Sequence, residues 1–379
     1  MSFSPRYALS ALACAAAIAG CAPKDGAKEL EQGRAAYELR DLKKAERLFE
    51  KSAELSPTNV DALVYLSRTK LDLGDLAAAN KWIAKAAELA ADDLDVRMLR
   101  AQLARHAKSY DEAAKLFSGI AEDASLDAET RAQGWVGLGV VEWDRGRLHH
   151  ARVAFLRAIR TDRRNAAAWY HLGILYRDHF EYLEAALEQF EIFVRLEASA
   201  SPRVQKVQRS AIPGLKEAIS RRDADRPGVS KRDSAASAVA LAKGDEAMKK
   251  GSFKAARQQY DVAIKADPLS YPAALGLAKA WQRSDPSPDG QRKALDNYRL
   301  ACSLRPGSVS TFLAAGAFAA KIGSHVQAVE IYSRAVAANP TSLEALDGLI
   351  RALQRVGGRR DDAVVYQRYR DSLVVRAKK

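Results

Sequence analysis

The sequence predicts an all-α protein, a right-handed α-solenoid of about nine helix–turn–helix units. Small residues, large and mostly aromatic residues, glycines and prolines recur along the chain at one period of 34 residues. Strand-like alternation of apolar and polar residues competes nowhere. A chain of 379 residues is also too long for one compact core, whereas a repeat array grows linearly by stacking each unit on the last.

Frames of 34 residues begin at Gly26, Val60 and Leu94, and after a four-residue insertion at Ala132 and Ala166. They restart at Ser237 and Tyr271 and, after a second four-residue insertion, continue from Val309 and Leu343. Frame position 8 is small almost throughout (Gly33, Ser67, Ala101, Gly139, Gly173, Gly244, Ala278, Gly316), and position 20 is alanine from Ala45 to Ala328. Small residues there let two antiparallel helices approach to about 8–10 Å. Position 24 is large (Phe49, Ile83, Phe117, Phe155, Tyr260, Tyr298, Tyr332, Tyr366) and fills the volume the small residues leave. Glycine at position 15 (Gly74, Gly146, Gly251, Gly323, Gly357) supplies a left-handed cap for the first helix, and Pro57, Pro268, Pro306 and Pro340 at position 32 end the second. Frame five departs: Gln189 stands where the aromatic is due and Phe190 follows, which predicts a one-residue slip of its second helix. Frame nine, with Ile350 and Asp362 at its two small positions, reads as an atypical terminal cap.

Trp169-x₂-Leu172-Gly173-x₂-Tyr176 is the first-helix pattern of the tetratricopeptide repeat. On these residues the chain resembles tetratricopeptide repeat proteins over roughly residues 26–199 and 237–375. The resemblance implies a scaffold whose first helices line a partner-binding groove. Between the frames, Arg203–Arg232 holds nine Lys/Arg against three Asp/Glu. Val204, Val207, Leu215 and Ile219 support a short closing helix, broken near Pro213-Gly214, and 222–236 reads as a basic flexible linker. The expected organisation is therefore a leader (1–20), a lipidated cysteine and tether (21–25), a first array of five repeats with its closing helix (26–221), the linker (222–236), and a second array of four repeats (237–379).

The leader carries Arg6 and an apolar stretch from Ala8 to Ile18. That stretch is far shorter than the ~20 residues a membrane span takes and reads as a signal-peptide core. Ile18-Ala19-Gly20-Cys21 resembles the lipobox of bacterial lipoproteins. The resemblance implies cleavage before Cys21 and acylation of that residue. Residue 22 is alanine rather than aspartate, which by the same resemblance favours an outer-membrane anchor on the periplasmic face. Cys14 leaves with the leader, so Cys302 remains as a lone, buried, inert thiol with no internal disulfide.

The formal charge of +13 favours acidic partners or anionic head groups. No nucleic-acid-binding motif occurs, and nucleic acid is not an expected partner. His106, His149, His150, His171, His179 and His325 form no H-E-x-x-H pattern and no zinc spacing with cysteine. Phosphate loops and nucleophile elbows are missing from the sequence, and the repeats leave no room for a catalytic domain. No metal, no cofactor and no enzymatic activity are expected.

In the family that the chain resembles, frame positions 2, 5, 9, 12 and 13 face the groove. These are Arg34, Tyr37, Arg68, Met98, Arg105, His106, Trp143, Tyr170 and Arg177 in the first array. Arginines and rings commonly carry interface energy, and here they point to a partner segment with acidic and apolar side chains. Between-repeat packing is an equal expectation for Trp143 and Tyr170, and Trp169 reads as core. In the second array the same positions are basic and poor in aromatics, with Lys249, Lys279, Arg283 and Lys321. The expected function is a membrane-anchored interaction scaffold or adaptor in a bacterial cell-envelope assembly, such as secretin or pilus assembly or docking of cell-wall enzymes. The alternative is a module that binds or acts on cell-wall glycans or peptides.

Overall fold

The structure is a computed structural model that describes residues 26–197 and 201–377. The leader and Cys21 lie outside the described residues. Helices follow in antiparallel pairs: α1 (Ala27–Glu38) with α2 (Leu42–Leu55), α3 (Val60–Asp72) with α4 (Leu76–Leu89), α5 (Leu94–His106) then α6 (Tyr110–Glu122), α7 (Ala128–Asp144) with α8 (Leu148–Thr161), and α9 (Ala166–Leu175) with α10 (Leu183–Leu196). The short α11 (Pro202–Lys206) and α12 (Ile212–Ala224) follow, joined by a π-helical turn at Val207–Ala211. The remaining pairs are α13 (Ser234–Lys249) with α14 (Phe253–Ala266), α15 (Tyr271–Ser284) with α16 (Pro288–Leu304), α17 (Val309–Lys321) with α18 (His325–Ala338), and α19 (Leu343–Arg355) with α20 (Arg360–Ala377). No strand occurs among the described residues.

Local chemistry sets the helix ends. Asp41, Asn59, Asp75, Asp127, Asn165 and Asp233 each accept the backbone N–H three residues on, at 2.8–3.1 Å, which caps α2, α3, α4, α7, α9 and α13. Position 15 is left-handed at Gly74, Gly146, Gly251 and Gly323, and also at Arg40 and Lys108, where a side chain takes on a conformation that glycine adopts freely. In frame nine the left-handed residue is Gly358 rather than Gly357. The turn there is one residue longer than the period, and Ala363 in place of Asp362 is the buried small residue of α20.

The ring at position 24 lies between two repeats. A Cβ placed on Gly33, Gly139, Gly244 or Gly316 (position 8) would come within 2.4–2.8 Å of the ring of Phe49, Phe155, Tyr260 or Tyr332 in the same repeat. Position 6 of the next repeat closes the ring's other side. Where it is Gly137, Gly276 or Gly348, a Cβ would come within 2.3–2.6 Å of Phe117, Tyr260 or Tyr332. Where it is aromatic, the rings stack: Phe49 on Tyr65 at 5.3 Å and Phe155 on His171 at 5.5 Å between centroids. Frame five slips as its sequence predicts. A π-helical turn at Tyr176–Phe180 adds a residue and the chain turns at Glu181, which has positive φ. Phe190 then takes the fully buried ring position opposite Gly173.

The chain divides into two compact units, the first ending at Leu103 and the second running from Ala104. This boundary lies within α5 and does not coincide with 222–236. The first unit has its own core of Leu30, Phe49, Leu63, Leu66, Ile83, Val96 and Leu99. In the second unit, residues 222–236 are tied on both sides. Arg222 pairs with Glu184 of α10 at 2.6 Å, and Arg226 donates to Ser303 Oγ of α16 at 3.1 Å. The Asp233 amide donates to the Ala266 carbonyl of α14 at 2.7 Å.

The same unit also packs far-apart repeats together, α8 of frame four against α20 of frame nine. Most second helices bury one face; α4, for example, buries Ala79, Ile83 and Ala86. Helix α8 buries Ala151, Arg152, Val153, Ala154, Phe155, Leu156 and Ala158, and α18 buries eight residues from Ala328 to Ala337. Burial around the helix follows where a second layer covers it.

Candidate partner-binding surface

The expected groove residues lie on the first helices of their repeats, except that Arg177 falls in the π-helical turn after α9. In the first unit they form an ordered ladder. Arg34 donates to Asp61 at 2.5 Å and Arg68 to Asp95 at 3.4 Å, each reaching from position 9 to position 2 of the next repeat. The Tyr37 hydroxyl donates to Asp72 Oδ2 at 2.7 Å, an oxygen that also accepts from Arg40 at 3.0 Å. Burial, together with this hydrogen bond to a carboxylate, raises the Tyr37 hydroxyl above the ordinary tyrosine range. Tyr65 sits among these groups with Arg34 at 4.8 Å and Arg68 at 5.6 Å from its ring centroid and the edge of Tyr37 at 6.3 Å. Three guanidinium groups thus face three carboxylates, and the ladder is charge-balanced. Met98 is buried and offers no contact surface.

In the second unit, Arg105 continues the pattern from position 12 to position 13 of the next repeat, donating to Asp144 at 2.7 Å. His106 lies beside it, with Nε2 at 3.4 Å from the Arg105 guanidinium. Trp143 Nε1–H donates to His179 Nε2 at 3.1 Å, so the proton of a neutral His179 resides on Nδ1. The Trp143 ring meets Phe155, His171 and His179 edge-on, at 6.3, 6.4 and 5.3 Å. Burial, helped by the positive charges of Arg203 and Arg105, pushes His171 down to about 4 and keeps it neutral near pH 7. Tyr170 packs on Phe193 at 5.1 Å with Arg203 at 5.1 Å from its ring. Arg177 is held by Asp178 at 2.5 and 2.9 Å. Trp169 is half-buried and donates to the Arg163 carbonyl at 3.0 Å.

Sequence reading did not find Tyr65 and His171, nor the aspartates that pair with the arginines. The signal was position 6, which reads Tyr65, Gly137, His171, Gly276 and Gly348. At these five it meets the ring of the repeat before; in frames three and eight it is Leu99 and Ala314. In the second array two of the same positions, although exposed, accept from the position-24 tyrosines of their own repeats. Asp245 accepts from the Tyr260 hydroxyl and Gln282 from that of Tyr298, each at 2.6 Å.

Among the described residues no group of three or more His, Cys, Asp or Glu side chains is placed to hold a metal ion. No helix of the described residues is long and apolar enough to cross a membrane.

Family comparison matches tetratricopeptide repeats at residues 36–103 and again at 136–201 and 241–286. No curated protein matches the sequence. Among solved structures, pilF of Pseudomonas aeruginosa is similar at 15% identity, covering 54% of this chain and 93% of that one with a TM-score of 0.42. The Cut9–Hcn1 hetero-tetramer of APC/C gives 15% identity over 91% of this chain and 78% of that one, TM-score 0.36. YrrB, a TPR protein, gives 16% over 49% and 92%, TM-score 0.34. The all-helical architecture and these matched segments agree: the chain carries tetratricopeptide repeats and folds as an α-solenoid of them.

Proposed function

We propose that this protein is a non-enzymatic protein-interaction scaffold, anchored through an acylated Cys21 to the periplasmic face of a bacterial outer membrane, where it serves a cell-envelope assembly. The single observation that carries the scaffold reading is the recurrent surface on the first helices. Arginines and rings are held there at fixed repeat positions by neighbouring repeats, so little side-chain freedom remains to be lost when a partner docks. The anchor rests on Ile18-Ala19-Gly20-Cys21 and the apolar stretch before it. The partner class differs in one respect from a simple acidic segment. Because Asp61, Asp72 and Asp95 already neutralise the first-unit ladder and Asp144 answers Arg105 in the second unit, recognition rests in the first unit on the Tyr65 ring, in the second on the Trp143 ring, and in each on hydrogen bonds at the edges of the ion pairs.

The test is affinity capture from detergent-solubilised envelopes with the full chain, compared with Arg68→Glu, Arg105→Glu and the exchange Arg105→Asp/Asp144→Arg. The single reversals are expected to lose the partner, and the exchange, which keeps the ion pair, to keep the fold while reducing capture. Unchanged capture by every variant rules out this surface. Recovery of no protein partner, together with saturable glycan binding that Trp143→Ala abolishes, rules out the scaffold reading in favour of a cell-wall-binding module.

A further inference from the structure

Helix α8 carries a second stripe, His149, Arg152, Leu156 and Arg160, spaced three or four residues apart and therefore on one face. The stripe meets α18 and α20, with partners 181 to 217 residues further along the chain. Arg152 is fully buried. It donates to Ser333 Oγ at 2.6 Å and to the Ser333 carbonyl at 2.8 Å. Tyr176, Phe180 and Tyr366 surround its guanidinium at 5.3, 5.6 and 5.8 Å from their ring centroids. Among the described residues no carboxylate pairs with it. At one end of the stripe, His149 Nδ1 lies 3.0 Å from the Tyr366 hydroxyl and His150 lies 3.5 Å from Asp362. At the other, Arg160 donates to Ser372 Oγ at 2.6 Å and to the Ser372 carbonyl.

We propose that α18 and α20 form a releasable clasp on α8, with the second unit passing between a closed form and an open form in which both sets of repeats stay folded. Three features carry this. A buried guanidinium without a counter-charge binds an interface less firmly than an aliphatic side chain of the same volume, so its presence favours a joint defined in register over one of maximal strength. Every hydrogen bond across the joint is made by a group that water satisfies once the surfaces part. Each side also keeps its own nearest-neighbour packing when the clasp opens, α8 on α7 and α9, and α18 on α17 and α19.

Thiol labelling of the full chain tests this. Ser333→Cys reports the joint and Ala315→Cys, fully buried in α17, reports the core of a repeat. Both are made with Cys302→Ser and read by peptide-resolved mass spectrometry across a urea series. The clasp predicts that Cys at 333 is labelled faster than Cys at 315 and with a shallower dependence on urea. Arg152→Ala should speed labelling at 333 alone by roughly tenfold, the effect of losing the hydrogen bond from the charged group to the carbonyl of residue 333, the one that survives the cysteine substitution. Equal rates and equal urea slopes at the two positions overturn the proposal, as does an Arg152→Ala effect of the same size at both. If Arg152→Ala fails to fold, the comparison of the two positions with Arg152 intact still decides.

Discussion

At the scale of single residues, much of this protein is a problem of satisfying both faces of a ring. The position-24 rings fill the gap left by small residues of their own repeat and then meet the next repeat's position 6. Glycine there gives close contact, and Tyr65 or His171 gives a stacked pair whose edge reaches the candidate surface. Packing and the proposed partner surface thus share residues. Cys302 is a buried thiol whose environment pushes it up to about 12, because burial penalises the thiolate. We expect it to resist alkylation near neutral pH in the folded protein and to react only after denaturation, as followed by mass change with iodoacetamide in the presence and absence of guanidinium. Alkylation of Cys302 at the rate of a free thiol in the native protein would contradict the burial described here.

At the scale of helices, two helical glycines have opposite roles. Gly139 lies where α7 meets α8, and an added methyl would sit 2.4 Å from Phe155 Cε1, so Gly139→Ala forces the pair apart. Overpacking of this kind costs about 1–3 kcal/mol. Gly214 lies near the start of α12 with nothing within 4 Å of an added Cβ. Gly214→Ala should stabilise by about 0.4–1 kcal/mol, because it removes freedom from the unfolded chain. Urea denaturation followed by helical ellipticity separates the two. The sequence showed the helix pairs, the slip in frame five and the small positions, because each follows from contacts inside one repeat or with its neighbour. Gly358 replacing Gly357 was not legible, since one extra turn residue leaves the composition of the loop unchanged. The apolar run Val153-Ala154-Phe155-Leu156 of α8 goes with the burial of that helix on two sides, but the sequence reading did not use it.

At the scale of the molecule, charge and histidine placement distinguish the two units. All six histidines fall after Leu103. Burial holds His149 down at about 3 and His171 at about 4. The groups around His149 are Asp362, Arg152, Arg359 and His150, with Asp362 opposing the shift and the others adding to it. Burial alone would raise Asp362, but His150 at 3.5 Å, the charge that His149 acquires in acid and the hydrogen-bonded Arg359 guanidinium hold it down at about 2. The unfolded chain takes up these protons at ordinary values, near 6.5 for histidine. The stability from neutral His149 and His171 is therefore fully present above about pH 6.5 and is lost as pH falls toward their folded values; Asp362 adds a further loss below about pH 4. Each buried histidine contributes at most about 1.4 kcal/mol per pH unit across that window. Pulse proteolysis at about pH 7.5 and about pH 5, with fragments assigned by mass spectrometry, should show the second unit losing stability while the first is less affected. Equal loss in both would remove the histidines as its cause.

Of the candidate surface, the sequence located the helices and named the arginines and rings, because frame position dictates which side of a first helix a residue occupies. It did not reveal that each arginine of the first-unit ladder is answered by an aspartate 27 or 32 residues further on. Such pairing depends on how far one repeat is rotated against the next. The sequence by itself determined the repeat, its helix pairs, its caps and its close contacts, all of which are nearest-neighbour effects within a one-dimensional array. Only the tertiary structure decided that the array divides within α5, that 222–236 is tied at both ends, and that α18 and α20 return onto α8 around Arg152. Those outcomes depend on distant surfaces meeting, and a 34-residue period carries no information about which surfaces those are.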